Sequence, residues 1–553
     1  MCRVRFETVP SNPYFLRNGL KPFPTGHLSI LESDIKNKGE SNMSIIVNEK
    51  FAKRAKEFQR PLKSKIIFPK SFVEFIEDKN SFQNIKVIEK NDFKLPLVIC
   101  SGDKILIDFA EHCVGYLNFS LNNYGKKICD SCVKLKFSFG EFPYEIVKPF
   151  EEYKGTLGNG WFQREEKVIP LLPYKTTLDR RYAFRYLLIE RTDNASFPVR
   201  LEDLFFEAVS AVSIEDALPI EIEDERLKAI YNASLKTLKE CEQDVFEDGP
   251  KRDRRLWMGD LRVQAITDYK TFKNYDLVKR CLYLFAAYRT DTKMVSSCLF
   301  SQSPPYIDDQ KSWVLKDYCL FFVSSLYDYY IDCGDLEFIK ELYDVGAEQV
   351  EILSKMVDRE KMVIDVTSFI DWCPDLDKEV AFTGVYIYVL KQFKFLTELL
   401  SKDISWIEEE IEFVSKILMK YYDKEKDIFI TSSGQISQHS QIWAVLSGVL
   451  SHEENVNLIS RVEELETEFT MRTPYVVHYY LEALYNCGLK EKTIEVIKNY
   501  WGKMLDSGYD CCPECFNEKN DFESPYNAPE INSACHAWSC SPAYWIYRYI
   551  NGE

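Results

Sequence analysis

The chain has 553 residues, 46% hydrophobic and 28% charged, a composition that is typical of globular proteins and excludes a mainly disordered chain or a fibre. Its 87 acidic and 70 basic side chains give a net charge of −17, which argues against nucleic acid or an anionic membrane as a partner. We therefore expect a protein of two or three domains whose ligand is neutral or cationic.

The sequence contains no targeting segment that we recognise. No stretch approaches the roughly 18 uninterrupted apolar residues that span a bilayer, and the N-terminus lacks the apolar core of a secretory signal. Seventeen cysteines, an odd number scattered along the chain, fit free thiols in a reducing compartment. We predict a cytoplasmic protein without a membrane partner. The sequence leaves open whether the chain forms a homo-oligomer.

Strand-like runs dominate the chain from about residue 66 to residue 212. Residues 133–139 alternate strictly between apolar and polar, which predicts a strand with one buried face. Similar short runs occur at 104–109, 115–121 and 183–189. We predict an antiparallel β-sandwich over residues 61–218. Residues 1–60 are predicted to be an N-terminal extension that forms part of this β-region.

From about residue 221 the apolar residues recur with the period of a helix. Short and long connections alternate between the predicted helices, and alternate connections of antiparallel helices lie at the same end of an assembly. The pattern predicts an (α/α)6 barrel over residues 219–553 with its long loops on one face. An irregular helical domain is the alternative. The twelve predicted helices are 224–242, 259–272, 275–289, 313–331, 335–357, 378–399, 404–421, 438–451, 454–463, 474–487, 490–505 and 536–549.

The first long loop, residues 243–258, contains the densest charge in the chain. Asp248, Asp253 and Asp260 are separated by four basic residues and by Trp257. Nearby cations lower the pKa of a carboxyl and burial raises it, so that such a cluster can hold one ionised and one protonated carboxyl. A solvated loop with surface ion pairs is the alternative.

Tryptophans also occur in two other long loops. Trp372 follows Asp371 directly, and Trp313 lies near the end of the second long loop. An aromatic ring beside carboxylates is a common arrangement in sugar-binding sites. A place in the hydrophobic core is the alternative for each tryptophan.

The last long loop, residues 506–535, combines an acid with several cysteines. Glu514 lies between cysteines, and His536 begins the predicted final helix. In one interpretation these two side chains are the working groups of a site. In the other, the loop binds zinc through Cys512, Cys515, Cys535 and either His536 or Cys540.

Residues 248–260, Asp-Gly-Pro-Lys-Arg-Asp-Arg-Arg-Leu-Trp-Met-Gly-Asp, resemble a motif of the bacterial α-L-rhamnosidases of glycoside hydrolase family 78. The likeness covers about 220–553 well, and the β-region is weakly similar. The family combines a β-sandwich with an (α/α)6 barrel. Other segments that look like the family are 107–112, 180–186, 437–443, 473–480, 500–508 and 533–539.

The resemblance implies inverting exo-hydrolysis of terminal α-L-rhamnosides, which needs two carboxyl groups and no cofactor or catalytic metal. Asp253 matches the general acid, and Glu514, six residues after Gly508, matches the general base. Asp371 is also expected to bind the substrate, because it directly precedes Trp372. The other residues expected to bind the small carbohydrate substrate are Asp248, Arg252, Trp257, Asp260, Trp313, Trp372 and His536.

Two departures from the family motif keep other functions open. Asp253 stands where the family usually has Glu, and residues 511–513, Cys-Cys-Pro, stand where it has Thr, an aromatic residue and Trp. The alternatives are a glycosidase that acts on another sugar, a zinc-binding helical toroid, and a catalytically inactive homologue that binds carbohydrate.

Overall fold

The structure is a computed structural model that describes residues 45–125, 131–307, 314–364 and 366–553. It has a β-rich N-terminal part followed by a helical C-terminal part. Within the described residues, no helix is both long and apolar enough to cross a membrane.

Ten strands of the N-terminal part form one antiparallel hydrogen-bonded network. They are β2 (Lys63–Ile67), β3 (Ser71–Glu77), β4 (Ile85–Asp92), β5 (Leu97–Ile99), β6 (Lys104–Asn123), β7 (Val133–Gly140), β8 (Arg164–Ile169), β9 (Tyr174–Thr177), β10 (Tyr182–Arg191) and β11 (Val199–Ser210). The long strand β6 pairs with β10 along its first half and with β11 along its second half. The alternating residues of β7 bury Val133, Leu135 and Phe137, as the period of two predicts.

The described part of the predicted extension packs against the helical half. Strand β1 (Ile45–Val47) pairs with β13 (Tyr288–Thr290), and helix α1 (Glu49–Glu57) packs on α5 (Tyr275–Ala287). We predicted this segment as part of the β-region. Its amphipathic helix instead buries Phe51 on the helical core, because its apolar residues share one face. Residues 1–44 of the extension lie outside the described residues.

The described residues of the C-terminal part contain twelve α-helices, at the places that the periodicity predicts. They are α3 (Glu225–Cys241), α4 (Met258–Tyr269), α5, α6 (Lys316–Cys333), α7 (Leu336–Ser354), α8 (Glu379–Leu399), α9 (Ser405–Met419), α10 (Gln438–Ser447), α11 (His452–Ser460), α12 (Pro474–Asn486), α13 (Lys490–Asp506) and α14 (Pro542–Asn551). A short helix α2 (Pro143–Val147) follows β7 in the N-terminal part.

Two kinds of helix alternate in this part. Helix α4 is buried at all 12 of its positions, whereas α9 buries five of its 15 residues along one stripe. Counted in pairs from α3, the second helices of the pairs are α4, α6, α8, α10, α12 and α14. Each of them from α4 to α10 contacts the next one, and α12 and α14 both contact α4. The buried helices therefore lie at the centre, and the amphipathic helices cover them.

Short strands occupy the long connections. Strands β12 (Leu256–Trp257), β14 (Cys298–Phe300) and β15 (Tyr306–Ile307) form a three-stranded sheet. The hairpins β16–β17 and β18–β19 join Val357–Asp358 to Val363–Ile364 and Tyr422–Asp423 to Ile428–Phe429. The connections before α4, α6, α8 and α14 meet at one cleft, as expected for long loops that share a face.

Candidate active site

The charged loop before α4 closes on itself. The backbone N–H of Asp248 donates to the carbonyl of Arg255 at 3.0 Å, and the N–H of Arg255 donates to Asp248 Oδ1 at 3.0 Å. Between them, Asp253 and Arg254 have φ angles of 65° and 51°, in the region that L-residues seldom adopt. This tight loop presents the Asp253 side chain at its tip, where it lines the cleft.

Buried ion pairs fix the loop to the N-terminal part. Lys251 Nζ lies 3.1 Å from Glu141 Oε2 and 3.1 Å from Glu145 Oε1, and these three side chains are almost fully buried. Lys251 also donates to the carbonyl of Asn532 in the last long loop. One lysine therefore joins the charged loop, the β-region and the last loop.

Arg252 connects the two carboxyl groups that were expected to act as acid and base. Its Nη1 lies 3.4 Å from Asp253 Oδ1, and its Nη2 donates to Glu514 Oε2. The guanidinium lies 4.4 Å from the ring centre of Tyr526. The Asp253 side chain is 18% exposed, whereas that of Glu514 is 2% exposed. Both carboxyl groups thus contact the same guanidinium, but the Asp253 side chain is more exposed than that of Glu514.

Glu514 is held as a buried carboxylate. Its oxygens accept hydrogen bonds from Arg252, from the hydroxyl of Tyr526 and, at 3.2 Å, from the N–H of Ser533. Burial acts to raise its pKa, but the charge of Arg252 and these hydrogen bonds outweigh burial and lower the pKa to about 2. Glu514 is therefore ionised at neutral pH.

The pKa values of Asp248 and Asp260 are shifted in the opposite direction to that of Glu514. Burial raises the pKa of both groups well above the usual range, and neighbouring carboxylates raise them further. Asp260 Oδ1 has no hydrogen-bond partner among the described residues. His536 Nδ1 is 3.8 Å from that oxygen, and burial lowers the pKa of His536 to about 4. The cleft thus offers a ligand buried polar groups, of which Asp260 Oδ1 is unsatisfied.

Aromatic rings form the walls of the cleft. The rings belong to Trp161, Trp257, Tyr318, Phe369, Trp372, Tyr526 and Trp538. Gly259 permits one of these contacts, since a Cβ atom there would lie 2.4 Å from the Tyr318 ring. Trp538 also donates from Nε1 to the carbonyl of Glu514 at 2.8 Å.

Asp371 is not among the cleft-lining residues of the described chain. Its oxygens accept from His439 Nε2, Thr473 Oγ1 and two backbone N–H groups at 2.6–2.8 Å. It therefore positions Trp372, which does line the cleft. Trp313 lies outside the described residues.

The cleft also contains residues that the sequence did not indicate. Leu157 and Trp161 reach it from the N-terminal part, and Tyr526 contacts both Arg252 and Glu514. No pattern in the sequence marks Trp161. Tyr526 could have been suspected from its place in the last long loop.

The zinc ligands suggested by the sequence are not brought together. Cys512 Sγ lies 3.7 Å from Ser234 Oγ, because its side chain turns toward α3. Within the described residues, the one group of at least three His, Cys, Asp or Glu ligand atoms within 4.8 Å of one another consists of His112, Cys511 and Cys535.

Two family models match the chain. The glycosyl hydrolase family 78 α-rhamnosidase N-terminal domain matches residues 69–208, and the bacterial α-L-rhamnosidase 6 hairpin glycosidase domain matches residues 216–550. No curated protein matches the chain.

Several solved structures are similar. A rhamnosidase from Klebsiella oxytoca with rhamnose bound is 34% identical, with a TM-score of 0.86 over 91% of this chain and 99% of that one. A family 78 rhamnosidase from Bacillus sp. GL1 is 19% identical, with a TM-score of 0.67 over 82% of this chain and 47% of that one. The α-L-rhamnosidase of Streptomyces avermitilis complexed with L-rhamnose is 16% identical, with a TM-score of 0.61 over 89% of this chain and 44% of that one. The latter two show the fold alone.

Proposed function

The chain belongs to the bacterial α-L-rhamnosidases of glycoside hydrolase family 78 and is a glycosidase, and we propose that it hydrolyses terminal α-L-rhamnosides with inversion at the anomeric carbon. The observation that carries the proposal is the pair of carboxyl groups joined by Arg252 at a cleft with aromatic walls. The bound rhamnose of the 34% identical Klebsiella protein supports the choice of sugar.

Asp253 is proposed as the general acid. Its carboxyl is the more exposed of the two and lies at the tip of the charged loop, where a glycosidic oxygen can approach. An acid in this role protonates the leaving oxygen as the glycosidic bond breaks. Arg255 Nη1, 3.7 Å from Asp253 Oδ2, would stabilise the carboxylate that remains after this transfer.

Glu514 is proposed as the general base. It is ionised at neutral pH, as a group that takes a proton from water must be. The water would attack the anomeric carbon on the face opposite to the leaving group, which requires the carboxyls to stand about 6.5–9.5 Å apart. Sugar hydroxyls that draw Arg252 away from Glu514 would strengthen the base, because the cation lowers its basicity.

The remaining polar groups are proposed to bind the sugar. The buried carboxyl groups of Asp248 and Asp260 can exchange hydrogen bonds with hydroxyls, and neutral His536 can donate or accept. The wall of Trp257 and Trp372 suits the methyl group that rhamnose carries in place of a polar hydroxymethyl.

The finer architecture is also proposed. Residues 61–218 would form a β-sandwich, supported by the separate core that β6, β7, β10 and β11 enclose. Residues 219–553 would form an (α/α)6 barrel, supported by the contacts of α4 with α12 and α14, which bring the last inner helices back to the first. Trp161 would close one side of the cleft and favour exo-cleavage.

Hydrolysis of a panel of p-nitrophenyl glycosides tests the activity. We expect release from the α-L-rhamnoside and its loss in Glu514→Ala. NMR of the first product should show the anomer of inverted configuration. Release from a different glycoside only would identify another sugar as the substrate. Initial formation of the product with retained configuration would refute the inverting mechanism. Sugar binding without turnover on any glycoside would favour the inactive homologue.

A further inference from the structure

A group of potential metal ligands lies behind the loop that carries Glu514. His112 comes from β6, and Cys511 and Cys535 come from the two ends of the last long connection. Their ligand atoms lie within 4.8 Å of one another, and all three residues are buried. Cys241, the last residue of α3, packs in the same cluster, and its thiol lies 3.9 Å from the carbonyl oxygen of Asp248. None of the four is among the residues that line the cleft.

The imidazole of His112 is oriented as in a metal site. Nε2 lies 3.0 Å from Glu141 Oε1, whereas Nδ1 has no hydrogen-bond partner among the described residues. Buried ring nitrogens are rarely left unpaired, and metal-binding histidines usually hold their other nitrogen against a carboxylate. One nitrogen of the ring lies within 4.8 Å of the Cys511 and Cys535 sulfur atoms.

We propose that His112, Cys241, Cys511 and Cys535 bind one Zn²⁺ ion. One imidazole and three thiolates form a ligand set that structural zinc sites use, with Zn–S distances of about 2.3 Å and tetrahedral geometry. The ligand atoms of His112, Cys511 and Cys535 already lie within 4.8 Å of one another, and rotation of the Cys241 side chain would add the fourth ligand. Each thiol releases one proton as its sulfur binds the metal.

Zinc with three thiolates and one neutral imidazole would carry a net charge of −1. Lys236 Nζ lies 2.8 Å from Asp510 Oδ2, next to Cys511 in the chain, and would offset part of this charge.

The ion would fix the geometry of the active site without touching the substrate. It would hold together β6, the end of α3 and the two segments of the last long connection that contain Cys511 and Cys535, on either side of Glu514 in the chain. Glu141 extends this connection, since it accepts from the N–H of Ala534 at 2.6 Å and pairs with Lys251 of the charged loop. Binding of the ion would not depend on which sugar the enzyme hydrolyses.

Zinc analysis of the full-length protein tests the proposal. The protein is purified without metal-affinity resin, in a reductant that does not bind zinc, and dialysed. We expect one tightly bound zinc per chain by mass spectrometry, its loss in Cys511→Ala and His112→Ala, and its retention in Cys512→Ala. Cys512 is the matched control, because it is buried beside Cys511 but contacts Ser234.

Zinc-edge X-ray absorption of the wild-type protein gives a readout that does not depend on how the variants fold. We expect a shell of three sulfur atoms at about 2.3 Å and one nitrogen at about 2.0 Å. The absence of bound zinc after incubation with Zn²⁺, a zinc shell without sulfur, or equal zinc in Cys511→Ala and the wild type would overturn the proposal. A disulfide between Cys511 and Cys535 in the freshly purified protein would also overturn it.

Discussion

The guanidinium of Arg252 donates to the buried carboxylate of Glu514 across a separation of 262 residues along the chain. The same guanidinium reaches Asp253, its neighbour in sequence. This contact keeps Glu514 ionised although the side chain is buried, and it joins the first and last long loops of the helical part.

Loss of this cation should change the pH dependence of the enzyme. In Arg252→Met we expect the pKa of Glu514 to rise from about 2, because burial would then act unopposed by the guanidinium. The base would be protonated at higher pH, so that the acidic limb of kcat/KM should move upward. The pH profile on an aryl rhamnoside measures the shift. A limb at the wild-type position would show that Arg252 does not control the base.

His536 should limit the wild-type enzyme in acid. Its pKa of about 4 lies above that of Glu514, so that His536 is the first of the two to gain a proton as the pH falls. We expect kcat/KM to fall near pH 4 and this limb to disappear in His536→Asn. His452→Asn, at an exposed position, is the control and should keep the wild-type profile.

The same group affects folding stability. The pKa of His536 is lower in the folded protein than the usual value of 6.5, so that the unfolded chain binds the extra proton between about pH 6.5 and pH 4. His536 should therefore lower the free energy of unfolding as the pH falls through this window. Urea titrations at pH 7 and pH 5 should show a smaller loss in His536→Asn than in the wild type.

The two carboxyl groups should respond differently to substitution. Asp253→Asn and Glu514→Gln should each lower kcat by about 10²–10⁴, the usual contribution of a general acid or base. The Asp253 variant should lose least on substrates with good leaving groups, because those need little protonation. The Glu514 variant should lose the same factor on all of them. Asp403→Asn, at an exposed position, is the control. Equal leaving-group dependence in both variants would contradict the assignment.

Gly259 should be required for the packing of the cleft wall. Gly259→Ala places a Cβ atom 2.4 Å from the Tyr318 ring, and overpacking of this kind costs about 1–3 kcal/mol. We expect a lower Tm and a higher KM. Gly158→Ala is the control, since a Cβ there meets no atom within 4 Å. An unchanged Tm in Gly259→Ala would mean that the ring moves freely.

Trp161 should contribute to binding beyond the rhamnose ring. It lines the cleft from the N-terminal part, so that Trp161→Ala should raise KM for substrates with a large aglycone and leave kcat nearly unchanged. Comparison of p-nitrophenyl rhamnoside with a rhamnosyl disaccharide measures the effect. Tyr124→Ala, at an exposed aromatic of the same region, should change neither substrate. A fall in kcat without a change in KM would assign Trp161 to the chemistry instead.

The sequence by itself determined the elements and the family. The twelve helices and the strand at Val133–Gly140 follow from local periodicity, because the burial of a helix or strand face repeats with the geometry of its own backbone. The motif at 248–260 identified the family, since it is contiguous and its residue types are unusual together.

Tertiary structure alone decided which side chains meet. The contacts of Glu514 with Arg252 and Tyr526, the entry of Trp161 into the cleft, and the cluster around His112 join segments that no local pattern relates. Asp371 shows the same limit. Its type and its neighbour Trp372 suggested a ligand contact, but the fold surrounds its oxygens with protein donors. Whether a buried acid faces a ligand or the protein depends on how distant segments pack, and periodicity carries no information about that.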